Sequence, residues 1–224
     1  MHADPAAARV RHSLDRLVFF SDAVFAIAIT LLVIALRVPE HLTSWDKAGL
    51  TRALAGVTAQ MIGFVISFVV IGVFWASHHR SFGLLACSDE RLLRLNLAFL
   101  FTIVLMPFPT ALMSRYQPLA IAQQIYAATL FAAVVLQLRL FVRAFAPGRY
   151  LAPDVNPAEP ARILRRAWAV PVGPALAFGV SVWTQSSFSL LTLLAMPFVI
   201  RLADAQPWRH WRGSAATRVG APPR

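Results

Sequence analysis

The chain has 224 residues, of which 58% are hydrophobic and only 14% charged, with a net charge of +11 and a mean hydropathy of +0.63. Soluble domains carry nearer about a quarter charged residues, so this composition excludes an ordinary soluble domain and points to a multi-pass membrane protein. The single cysteine, Cys87, excludes an intramolecular disulfide.

The first 16 residues are polar, and no small-residue cleavage site follows a short apolar core. The first hydrophobic segment is therefore expected to stay as a transmembrane helix and not to be removed as a signal peptide. A span needs about 20 mostly apolar residues. Six candidates follow: Leu17–Leu36, Val57–Trp75, Leu95–Met113, Leu119–Leu138, Ala167–Trp183 and Ser186–Leu202. The fifth contains Pro171 and Pro174 and is predicted to kink near its start. The sixth is short, is interrupted by Pro197, and is separated from the fifth by only Thr184 and Gln185, which predicts a tight helical hairpin. Residues 1–12 and 204–224 read as polar tails flanking a single six-helix unit over 13–203.

Charge sets the predicted orientation. With the N-terminus inside, the inner segments hold 17 basic residues and the outer ones four: Arg37, Lys47, Arg52 and Arg115. This asymmetry places both termini in the cytoplasm of a plasma (inner) membrane protein. It also accounts for the net charge without nucleic acid, because the basic residues follow the loops and form no folded basic module.

The first span carries the most information. Asp22 lies six residues inside Arg16, about 9 Å along a helix rising ~1.5 Å per residue. An acid at that depth costs roughly 2.5–3.5 kcal/mol to insert and is usually partnered. At 100° per residue, Arg16, Phe20, Ala23, Thr30, Leu31 and Ile34 fall within about 60° of Ile27, while Asp22, Phe25 and Ile29 face the other way. Periodicity alone reads the Ile27 stripe as ordinary packing. Depth places Arg16, Ser21, Asp22, His78 and Asn96 in one inner-leaflet layer, where Arg, His or Ser would hold the carboxylate. A structural network, a proton or ion site and a metal site all remain open for that layer. The last is disfavoured, since adjacent histidines diverge on a helix and Asp22 is the one nearby acidic ligand.

Arg16-Leu-Val-Phe-Phe20-Ser21-Asp22 resembles the RxxxFSD signature on the first helix of the transmembrane protein 175 family of potassium channels. The continuation AVFAIAITLL, Trp75 with His78, and Asn96 with Pro107-Phe108-Pro109 are similar to bacterial members. The resemblance covers roughly residues 13–203. It implies an all-α integral membrane protein, a homotetramer of six-helix subunits in the lipid bilayer, with the first helix lining a central pore for monovalent cations. Aligned on the signature, Ile27, Leu31 and Ile34 match the apolar constriction and Thr30 the threonine linked to selectivity. Arg16, Phe20, Ser21, Asp22, Trp75, His78 and Asn96 match the signature and its polar network. Potassium would enter as permeant only; no cofactor, resident metal or enzymatic activity is expected. The absence of a TVGYG-type loop argues against a backbone-carbonyl filter. The alternatives are a secondary transporter, a membrane-embedded small-molecule enzyme, or a structural membrane protein. A transporter would show paired repeats around a midplane polar site, and only Gln123, Gln124 and the later prolines hint at one.

Overall fold

Long apolar runs make long helices, and the breaks between them fall at proline and at capped loops. The computed structural model describes residues 5–37, 44, 46–116 and 119–184. Seven α-helices are described: α1 (Pro5–Leu31), α2 (Lys47–Phe82), α3 (Glu90–Leu105), α4 (Pro107–Arg115), α5 (Ala120–Ala144), α6 (Ala158–Ala169) and α7 (Val172–Thr184). A 3-10 turn, Leu32–Ala35, continues α1. Five stretches are long and apolar enough to cross a membrane: His12–Ile34, Gln60–Phe82, Glu90–Arg115, Ala120–Ala144 and Ala158–Thr184. The expected sixth span, Ser186–Leu202, its hairpin with the fifth and the tail 204–224 lie outside the described residues.

Three boundaries differ from the sequence expectation, each for a local reason. Helix α1 begins at Pro5, so residues 5–12 continue the helix that was expected to start after a polar tail; proline suits a first helical turn, where its missing N–H is not needed. Helix α2 has 36 residues, about 54 Å at 1.5 Å per residue, well beyond the roughly 30 Å of hydrocarbon. Its start is fixed by Asp46, whose carboxylate accepts from Gly49 N at 2.7 Å and from Ser44 Oγ at 2.6 Å. The third span is not one helix. It breaks at Met106, where Met106 N bonds to Ile103 O at 3.2 Å, and α4 restarts with Pro107 in its first turn. Pro107 has no N–H to continue the ladder. The fifth span breaks between α6 and α7 at Pro171, as its prolines predict.

Helix α3 packs between α1 and α5, α5 also contacts α7, and α2 runs against α1 and α4. The buried seam joins Phe25 of α1, Phe74 and Phe82 of α2, and Phe99 and Ile103 of α3. Near the middle of α2, Gly63 lets α4 approach closely: a Cβ there would collide with Ser114 Oγ. Small residues serve this purpose in membrane helix pairs. Gly63→Ala is expected to destabilise the fold by about 1–3 kcal/mol, the usual range for overpacking. Ser114→Ala in the same chain should restore part of that loss, since it removes the colliding Oγ and leaves a Cβ contact of 3.2 Å that needs a shift of only a few tenths of an ångström. Thermal midpoints of the single and double variants check this; equal midpoints for wild type and Gly63→Ala would refute the close approach.

The loops at the α2–α3 end are tied to the α5–α6 loop. Leu85 and Leu151 form an antiparallel bridge, with Ala86 N to Tyr150 O at 2.7 Å and Ala152 N to Leu84 O at 3.0 Å.

Candidate pore-lining face and the polar network behind it

Helix α1 presents two chemically different sides. Arg16, Phe20, Ala23, Ile27, Thr30, Leu31 and Ile34 are all exposed in the subunit, whereas Ser21, Phe25, Ala28 and Leu32 are buried. Ile27 is 56% exposed and Ile34 70%. The face read from helical spacing is therefore the one this subunit leaves uncovered. The 3-10 turn keeps Ile34 in register with Leu31, because residues three apart eclipse at three residues per turn. Ile27, Leu31 and Ile34 then sit at successive levels about 6 Å apart along the axis. Thr30 Oγ1 donates to Ile27 O at 2.9 Å. Its one hydrogen is spent on its own helix, so the hydroxyl offers only oxygen lone pairs outward.

Behind that face lies a hydrogen-bond chain across three helices. Ser21 Oγ of α1 donates to Leu17 O at 2.8 Å and accepts from Asn96 Nδ2 of α3 at 2.8 Å. Asn96 Oδ1 lies 2.8 Å from His78 Nε2 of α2. With its amide nitrogen committed to Ser21, Asn96 can only accept there, which places the imidazole proton on Nε2. All three side chains are fully buried. The His78 ring stacks on Phe82 at 4.0 Å between centroids and lies against Phe99 and Phe25 at 6.0 and 5.6 Å.

Asp22 belongs to a different contact. Its Oδ1 accepts from Trp75 Nε1 at 2.9 Å, and its Oδ2 lies 3.9 Å from His79 Nδ1, a pairing that carries charge only when the imidazole is protonated. Trp75 and His79 are one turn apart, so both reach the same acid. Here the structure corrects the expected layer. Arg16 and Phe20 are exposed, and Arg16 makes no hydrogen bond or ion pair among the described residues. Six residues turn a helix through 600°, so Arg16 and Asp22 diverge by about 120°. Ser21 likewise does not bond the acid. Of the signature residues, Ser21, His78 and Asn96 form one cluster and Asp22 with Trp75 another, while Arg16 and Phe20 lie on the open face with Ile27.

Two features escaped the sequence reading. His79 was legible from its i+4 spacing to Trp75. Asp89 was not. It caps α3 by accepting from Leu92 N at 2.7 Å, and it takes Tyr150 OH at 2.6 Å and Arg143 Nη2 at 3.1 Å, with Arg149 at 3.6 Å. Arg143, Arg149 and Tyr150 lie more than 50 residues away. The Tyr150 hydrogen bond, then the Leu92 amide and Arg143, hold the Asp89 carboxyl well below the ordinary carboxylate range. A lowered folded pKa contributes stability above the unfolded value and loses it as pH falls through the folded one. The clamp should thus be fully present at pH 7 and at pH 5. Asp89→Ala is expected to lower stability by at least the ~1 kcal/mol of a lost cap, equally at both pH values. A deficit that shrank at pH 5 would contradict this assignment. Among the described residues, no cluster of three or more His, Cys, Asp or Glu side chains could hold a metal ion.

A family model described as endosomal/lysosomal potassium channel TMEM175 matches residues 16–107, the stretch that holds the α1 face and the polar network. A protein of Chamaesiphon minutus named a potassium channel is 36% identical over 193 residues, covering 83% of this chain and 93% of that one. The chain belongs to the TMEM175 family. A Streptomyces collinus protein, also named a potassium channel, is 33% identical over 183 residues and covers 78% of this chain and 87% of its own length. The crystal structure of a lysosomal potassium-selective channel TMEM175 homolog from Chamaesiphon minutus superposes with a TM-score of 0.71 at 30% identity, over 87% of this chain and all of that one. The TMEM175 fold accounts for the all-helical, multi-pass architecture, and the family is one of ion channels, not enzymes.

Proposed function

We propose that this TMEM175 protein is a potassium-permeable cation channel. Four copies assemble around an axis lined by α1, with both termini in the cytoplasm of a plasma (inner) membrane. Family membership supports the channel reading, and the relatives at 33–36% identity carry the name potassium channel. The observation that carries the pore assignment is the uncovered face of α1. Its bulky apolar residues and single inward-bonded threonine lie opposite a fully buried side. The described residues of one subunit pack an apolar core between the helices, so the ion path is placed on a symmetry axis where several copies of one helix meet. Ile27, Leu31 and Ile34 then form a hydrophobic constriction that resists hydrated ions, and Thr30 adds an oxygen acceptor near the Leu31 level. Arg16 lies on the same face towards the cytoplasmic end of the path. Ser21, Asp22, Trp75, His78 and Asn96 act structurally, holding α1 against α2 and α3 so that the lining face keeps its angle.

The test is reconstitution of the purified protein in liposomes with a potassium gradient. Potassium efflux driven by valinomycin-independent conductance, together with a native mass of four chains, is the expected result. A sealed vesicle population with a monomeric native mass would instead indicate a membrane protein without a pore.

A further inference from the structure

We propose that a cleft between α5 and the α6–α7 junction binds an anionic phospholipid of the inner leaflet, with Arg139 and Arg143 holding its headgroup phosphate. The cleft is about 660 Å³ and is lined by Val135, Leu138, Arg139, Val142 and Arg143 on α5 and by Ala146 just after it, with Trp168 and Pro171 across from them. The α5 residues recur at helical spacing, so they form one stripe along a single face. The stripe is apolar towards the middle of the membrane and cationic near the end of α5, which fits an acyl chain below and a phosphate above.

Several observations select this occupant. Among the described residues the cleft is lined along one side by α5, a helix of membrane-spanning length. Arg139 is exposed and makes no hydrogen bond or ion pair among the described residues. Arg143 gives Nη2 to Asp89, and among the described residues its Nε has no hydrogen-bond partner. Arg139 and Arg143 stand one turn apart on α5, so their guanidinium groups can converge on one phosphodiester. Trp168 is 57% exposed at the break between α6 and α7, where an indole suits the headgroup level. Basic pockets between transmembrane helices on the cytoplasmic side are known places for anionic headgroups. The sixth apolar segment, 186–202, contains no Asp or Glu and offers the arginines no counter-charge. The depth of the cleft rests on the proposed orientation, but the binding test does not, so either can fail alone.

Native mass spectrometry of the full-length protein, titrated in mild detergent with phosphatidylglycerol or phosphatidylcholine, tests the site. Retention of phosphatidylglycerol over phosphatidylcholine is expected. Arg139→Gln should weaken phosphatidylglycerol retention about fivefold, the effect of roughly one basic residue at an anionic surface, and Arg139→Lys should keep most of it. Arg162→Gln, an exposed charge on α6 outside the cleft, should leave it unchanged. Equal retention of the two lipids, equal losses in Arg139→Gln and Arg162→Gln, or full competition by millimolar inorganic phosphate would each overturn the proposal.

Discussion

Leu31→Ala, and Ile27→Ala beside it, are expected to raise potassium and sodium currents together, by about tenfold or more, and to bring the two permeabilities closer. Tenfold corresponds to only about 1.4 kcal/mol off a barrier. In the proposed tetramer, Leu31→Ala trims four branched side chains at once, so a change of that size is modest. The barrier at an apolar ring comes from excluding hydrated ions and offers no ligands to replace the lost water. Widening the ring admits water, and with it any small hydrated cation. Thr30→Val tests a different property. It keeps the shape and removes the outward lone pairs, so selectivity should change while assembly does not. Planar-bilayer currents under bi-ionic conditions read both effects. If Ile27→Ala, Leu31→Ala and Ile34→Ala all left conductance and selectivity untouched in assembled protein, the exposed face of α1 would be a lipid or packing surface and not a pore.

The sequence carried this face because it obeys one rule applied over one unbroken helix. The α1 stripe needs only 100° per residue, and the burial pattern follows it from Arg16 to Ile34. The 3-10 turn at Leu32–Ala35 was not legible, yet it preserves the stripe by bringing Ile34 over Leu31. Partnerships between helices were harder to read. Depth grouped Ser21, Asp22, His78 and Asn96 correctly as neighbours, but depth has no azimuth. Two separate contacts, Ser21–Asn96–His78 and Asp22–Trp75, were therefore merged into one layer with Arg16. The Pro107 break shows the same limit in one dimension: hydropathy runs straight through Leu95–Met113, and only the missing proline N–H divides it. Asp89 lay furthest from view, because its partners Arg143, Arg149 and Tyr150 meet it only after three helices have packed.

Asn96→Leu is expected to cost more folding stability than Arg16→Ala or Asp22→Ala. Asn96 is the middle of the chain: its amide nitrogen serves Ser21 and its carbonyl oxygen serves His78. Leucine fills similar space but abandons both groups. Each buried polar group left unsatisfied costs about 1–3 kcal/mol, and His78 already carries one unpartnered buried atom, Nδ1. Its Nε2–H cannot turn to water, because the ring is enclosed by Phe25, Phe82 and Phe99. Arg16, by contrast, is exposed and unpaired among the described residues, and Asp22 remains partly accessible, with 32% of its side chain exposed. A double-mutant cycle separates the terms. Asn96→Leu combined with His78→Phe removes donor and acceptor together, and should recover part of the loss, since replacing both partners by apolar groups of similar shape can be nearly neutral. Thermal midpoints from fluorescence-detected size exclusion report the result. A midpoint for Asn96→Leu equal to wild type, or strictly additive losses in the double variant, would show that the three helices are held by their apolar seam alone and that the buried amide is incidental to the angle at which α1 stands.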